Sequence, residues 1–135
     1  MSIAPHIVPF YAALLALAFV GLSIRTLRLR KQLRIVIGDA GDTAMLRAMR
    51  VHANFAEYVP LALVLMLFVE TAGGAGWLLH ALGVALLCGR ASHAWGVSQV
   101  REDFRFRVFG MATTFGVLLI SASWLLVHHA AALGA

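Results

Sequence analysis

Apolar residues fall into four long runs separated by short polar windows, and this alternation predicts four helices. Ile7 to Ile24 gives 18 consecutive uncharged residues and Val108 to Val127 gives 20. Uninterrupted runs of this length are long enough to cross a bilayer as helices. A second segment starts after Asp42-Thr43, either of which can cap a helix, and continues to about Thr71. Only Glu57 interrupts its apolar part, and Glu70 sits where the far membrane interface should be. A third segment runs from about Trp77 to Val97, with Arg90 and His93 in its last turns. Gly73-Gly74-Ala75-Gly76 is too short to hold a domain, so the second and third helices are expected to form a tight antiparallel hairpin. The pattern predicts an all-α integral membrane protein, one domain over residues 1–135, with helices at about 6–30, 43–71, 76–97 and 105–129.

One of these helices carries an anomalous face. At about 100° per residue, Arg47, Arg50, Asn54 and Glu57 fall within an arc of about 80°. Two guanidiniums, a carboxamide and a carboxylate on one stripe are costly in hydrocarbon, so they must face a protein interior or a wet cavity. Arg90, His93, Val97 and Arg101 share a similar arc on the third helix. His52 projects away from the stripe and is expected to bond a neighbouring helix. Pro60 removes one backbone hydrogen bond and is expected to open space just beyond Glu57.

Composition sharpens this picture. Of 135 residues, 61% are hydrophobic and only 13% charged, with a mean hydropathy of +0.88. A soluble domain would carry about 25% charged residues. The net charge of +5 does not point to nucleic acid, because all eleven Lys and Arg residues lie in two windows, Arg25–Arg50 and Arg90–Arg107. Two basic loops on the cytoplasmic side produce that distribution, which leaves both termini outside. The uncharged amino-terminal run followed by basic residues is expected to act as a retained signal anchor. For Arg25, Arg30, Lys31 and Arg34, orientation and snorkelling into headgroups is the better account. Trp77, Trp95 and Trp124 are expected at the interfaces, and so are His128 and His129. Cys88, within an apolar run, is expected as a small core residue.

Several sharper chemistries fail. The glycines of Gly38-Asp39-Ala40-Gly41 are not followed by the lysine of a phosphate-binding loop. His52 and His93 lack Cys or carboxylate partners at metal-ligand spacing, so no metal is expected. There is no Ser–His–Asp set, carboxylate pair or dinucleotide fingerprint. A pocket rich in Arg with one Asn and one Glu instead suits an anionic ligand that carries more than one carboxylate and offers an amine. A γ-glutamyl tripeptide thiol has those groups.

The run Arg47-x-x-Arg50-x-His52-x-Asn54-x-x-Glu57-Tyr58-x-Pro60-Leu61 resembles the signature of the MAPEG family, membrane-associated proteins in eicosanoid and glutathione metabolism. Arg28-Leu29-Arg30-Lys31, Gly89-Arg90-Ala91-Ser92-His93 and Phe106-Arg107-Val108-Phe109-Gly110 resemble the family's other helix-end motifs in order, and the Gly38-Asp39 loop its bacterial branch. The resemblance implies a homotrimer in a bacterial inner membrane, with glutathione bound between subunits near the cytoplasmic side. Arg28, Arg47, Arg50, Asn54 and Glu57 would hold the peptide, Arg90 and His93 would line the site from the adjacent chain, and Arg107 would stabilise the thiolate. The implied activity is glutathione transfer to apolar electrophiles or reduction of lipid peroxides. The chain departs from the family pattern at Ala53, where some members have Arg, and at Val97, where several have Tyr. Two rival expectations are a small proton-coupled efflux transporter using Glu57 and a non-catalytic scaffold whose polar stripe joins subunits.

Overall fold

The computed structural model describes residues 5–99, 101 and 103–133; the extreme termini, expected on one side of the membrane, lie outside this range. Four helices account for nearly all of it: α1 (Ile7–Leu33), α2 (Thr43–Thr71), α3 (Gly76–Ser98) and α4 (Phe104–Leu133). The chain is an all-helical membrane protein. Three helices, α1, α2 and α4, are long and apolar enough to cross a bilayer. With 23 residues, α3 is long enough as well, but it carries His80, Arg90 and His93 and falls short in apolarity. The four helices stand where the apolar segments predict them.

Helix ends follow local chemistry. The Asp42 carboxylate accepts from the Met45 backbone N–H at 2.8 Å and starts α2, satisfying one of the amides that a first turn leaves orphaned. At the other end, Gly73 adopts φ +88° and its N–H reaches Glu70 O, while Gly74 N–H reaches Val69 O. This paired closure needs a left-handed residue, which glycine supplies at little steric cost. Pro60 lies inside α2 without ending it.

The amino end of α1 has a long-range cap. Glu70, 63 positions from Ile7 in sequence, accepts from the backbone N–H groups of His6, Ile7 and Val8 at 2.7–2.8 Å. The far-interface position foreseen for Glu70 therefore serves a structural task. A carboxylate there also opposes the positive end of the α1 dipole.

α2 and α3 form the central pair, each touching all the other helices, while α1 and α4 flank them without meeting. Leu15, Phe55, Val59, Met66, Leu79, Leu86 and Val117 fill the core. The tightest crossing is between α3 and α4, at Gly89 and Gly110. A Cβ on Gly110 would lie 2.5 Å from Gly89 O and 2.6 Å from His93 Cβ, and one on Gly89 would collide with Thr113. Small residues let membrane helices approach to backbone contact, where van der Waals packing replaces the missing hydrophobic drive.

Both basic windows occupy one end of the bundle. Arg47 Nη1 donates to Val97 O at 3.0 Å, and Arg25 Nη1 donates to Ser98 Oγ. The α1–α2 and α3–α4 connections therefore sit side by side. His52 meets Ser23 Oγ at 3.0 Å and stacks on Phe19, so it does bond a neighbouring helix. Cys88 is exposed on the outside of α3, which corrects its assignment to the core.

Candidate functional site

A pocket of about 260 Å³ opens at the basic end, lined by Arg47, Arg50 and Asn54 from α2, His93 and Val97 from α3, and Arg107 from α4. Thr43 and Leu46 complete it. Five residues singled out in sequence thus meet in one place, although they span 60 positions. No acidic side chain lines it, so its field is cationic. Within the chain, His93 of α3 faces the α2 stripe across this pocket.

Burial around α2 grades across the stripe. Arg47 and Asn54, at one edge of the arc, are half-buried, whereas Arg50 and Glu57, at the other edge, are exposed. The stripe is therefore the lip of the pocket. Glu57 lies beyond the pocket lining and makes no polar contact with described residues of its own chain. A carboxylate on the outer face of an apolar helix is too costly to leave against lipid.

Arg28 occupies a second cavity of about 570 Å³ between α1 and α2, with Arg25, Gln32, Ser98 and the α2 residues Thr43, Ala44 and Arg47. Thr43 and Arg47 line both cavities, so the first turn of α2 is the wall between them. Arg28 and Arg107 therefore stand on opposite sides of that wall within one chain.

Arg90 differs from the expectation most. It does not line the pocket; it lies beneath it, only 3% exposed. Its Nη1 donates to Asn54 Oδ1 at 2.7 Å and its Nη2 to Gly110 O at 2.8 Å, with Met111 Sδ at 3.7 Å. Every partner is neutral, and Nε is buried without one. A guanidinium has only donors, so the Asn54 oxygen must face it. Asn54 is left with its amide N–H pair to offer a ligand. Spacing placed Arg90 on the correct helix end but could not give its depth.

Pro60 borders an apolar groove of about 260 Å³ between α1 and α2, shared with Ala12, Leu15, Phe19, Phe55 and Val59. Space does open beside the proline, on the side away from the cationic pocket. Among the described residues no group of His, Cys, Asp and Glu is arranged to hold a metal.

Comparison with known proteins agrees with the helical architecture. A family model described as the MAPEG family matches residues 8–127. The chain is also 42% identical over 110 residues to inner membrane protein YecN of Escherichia coli K12, covering 82% of each chain. YecN of Escherichia coli O6:H1 matches to the same extent. With a cationic pocket built by its motif residues and a family match over nearly its whole length, the chain belongs to the MAPEG family.

Proposed function

We propose that this protein binds glutathione in a bacterial inner membrane and uses it against apolar electrophiles or lipid peroxides. The observation that carries the proposal is the convergence of Arg47, Arg50, Asn54, His93 and Arg107 on one pocket without an acidic lining residue. Guanidiniums and an amide N–H pair suit the two carboxylates of the peptide. Glu57, exposed at the lip, suits its amine. Inner-membrane placement rests on the relatives, which are inner membrane proteins by name.

Glutathione supplies the thiol that adds to an electrophilic carbon or reduces a peroxide. Arg107 favours the deprotonated sulfur, since a nearby guanidinium stabilises a thiolate whose unperturbed pKa is about 8.5. Arg47 and Arg50 orient the peptide, and Arg90 holds the Asn54 carboxamide in place from below. The outward-facing Glu57 and Arg50 call for a neighbouring copy, which the homotrimer implied by the family resemblance would supply. In the family's arrangement the ligand lies between such copies.

Proton-coupled efflux through Glu57 remains the rival. Against it stands the convergence of the motif arginines, Asn54 and His93 on a pocket that Glu57 does not line. The test is thermal unfolding of detergent-solubilised protein with and without millimolar glutathione. A ligand that binds only the folded state raises the melting temperature by mass action, and Arg50→Ala should abolish the rise. An unchanged curve for the unsubstituted protein would rule the proposal out.

A further inference from the structure

The connection between α1 and α2 exposes two aliphatic side chains at a place where water is an expensive neighbour. Val36 is 91% and Ile37 87% exposed. The loop is nonetheless well organised. Arg34 adopts a left-handed conformation with φ 56° and ends α1, and Ile35 N–H returns to Arg30 O at 3.0 Å. The Arg30 guanidinium donates to Gly38 O at 3.0 Å and reaches Val36 O at 3.5 Å. Residues 36–38 are therefore folded back level with the last turn of α1.

Depth follows from helix geometry. Arg30 lies six positions beyond Ile24, the end of the uncharged run, or about 9 Å along the axis. The interfacial layer of a bilayer is about 5–8 Å thick on each side. Val36 and Ile37 therefore stand about 1–4 Å outside the headgroup layer, within side-chain reach of it. Arg30, Lys31 and Arg34 flank them, while the acids of the loop are engaged locally: Asp39 accepts from Gly41 N–H and Asp42 caps α2.

We propose that residues 31–38 form an anionic-lipid contact, in which Val36 and Ile37 enter the headgroup layer while Lys31 and Arg34 meet lipid phosphates. A two-residue apolar tip is far too small for a stable protein interface, which needs about 800 Å² per partner. An apolar wedge between basic side chains instead matches the chemistry of an anionic membrane surface. The contact is independent of the glutathione pocket.

The test uses the full chain with Cys88→Ser, carrying a nitroxide at Ile37→Cys or, for comparison, at Ala40→Cys. Both are reconstituted in phosphatidylcholine alone and in phosphatidylcholine mixed with phosphatidylglycerol. Power saturation then compares accessibility to oxygen and to a water-soluble nickel chelate. In the mixed bilayer the label at 37 should show a several-fold higher oxygen-to-chelate ratio than the label at 40. Lys31→Gln with Arg34→Gln should erase the difference. An aqueous reading at 37 in both bilayers overturns the proposal, and equal depth in both overturns its anionic specificity. Spin–spin broadening unaffected by lipid composition would assign the tip to a second copy of the chain and overturn it as well.

Discussion

Arg90 Nη1 lies 2.7 Å from Asn54 Oδ1, and this one hydrogen bond sets which half of the carboxamide faces the pocket. Replacing Arg90 with Leu would leave the Asn54 oxygen and Gly110 O without their donor in a buried place. Such loss costs about 1–3 kcal/mol. Arg90→Leu is expected to lower the melting temperature and also to remove glutathione-dependent stabilisation, because Asn54 is then free to rotate. Lysine should restore much of the stability and less of the ligand response, since one ammonium cannot bridge both acceptors with forked geometry. Full ligand response in the leucine variant would show that Asn54 needs no support from below.

Arg107 should act on chemistry more than on affinity. Thiolate absorbance of bound glutathione near neutral pH is expected to disappear in Arg107→Leu, while Arg47 and Arg50 retain much of the binding. Turnover toward a model electrophile should fall more than affinity, the mark of an interaction used mainly in the transition state. A leucine variant with unchanged turnover would reduce Arg107 to an orientation charge, with Arg28 the next candidate.

Gly110 tests the α3–α4 crossing. Even Gly110→Ala places a methyl within 2.6 Å of both Gly89 O and His93 Cβ. Overpacking of this kind costs about 1–3 kcal/mol. The variant should unfold at lower denaturant and bind glutathione more weakly, since His93 and Arg107 line the pocket from the two helices pushed apart. Gly116→Ala, whose Cβ would meet nothing within 4 Å, is the control and should be nearly neutral.

Glu70→Ala should remove all three acceptors from the first turn of α1. Losing a helix cap costs about 0.5–2 kcal/mol, and the charged, three-fold acceptor places this case at the upper end. Glu70→Gln keeps one carbonyl oxygen and should fall between. Hydrogen exchange of the Ile7 and Val8 amides checks the location of the effect.

Orientation is testable by cysteine labelling. Residues 30–42 and 98–104 are expected in the cytoplasm, with both termini outside. Labelling of the second segment from the outside would contradict the structure as well as the charge pattern, because the two connections are joined at one end by the Arg47–Val97 and Arg25–Ser98 bonds.

The membrane helices were legible because apolar runs and basic windows record length and sidedness directly. The α2 stripe was equally legible as a face, and a helical arc even orders Arg47 and Asn54 against Arg50 and Glu57. What a wheel cannot give is depth or partner, so Arg90 looked like a pocket residue when it lies under Asn54. Cys88 shows the other limit: in a membrane protein, an apolar neighbourhood points to lipid and to core alike. The cap made by Glu70 depends on a contact across 63 positions, for which local pattern holds no signal.

The same cap constrains how the chain can assemble. As α1 enters the bilayer, its first amides have only interfacial water to turn to, and the residue that will satisfy them has not yet been synthesised. In the orientation expected from the basic windows, Glu70 must cross the hydrocarbon at the far end of α2 to reach them. The first helix and its carboxylate partner thus complete one another only as a pair. α1 without α2 is expected to fray at its first turn, and the α1–α2 pair is the smallest unit in which that end is closed.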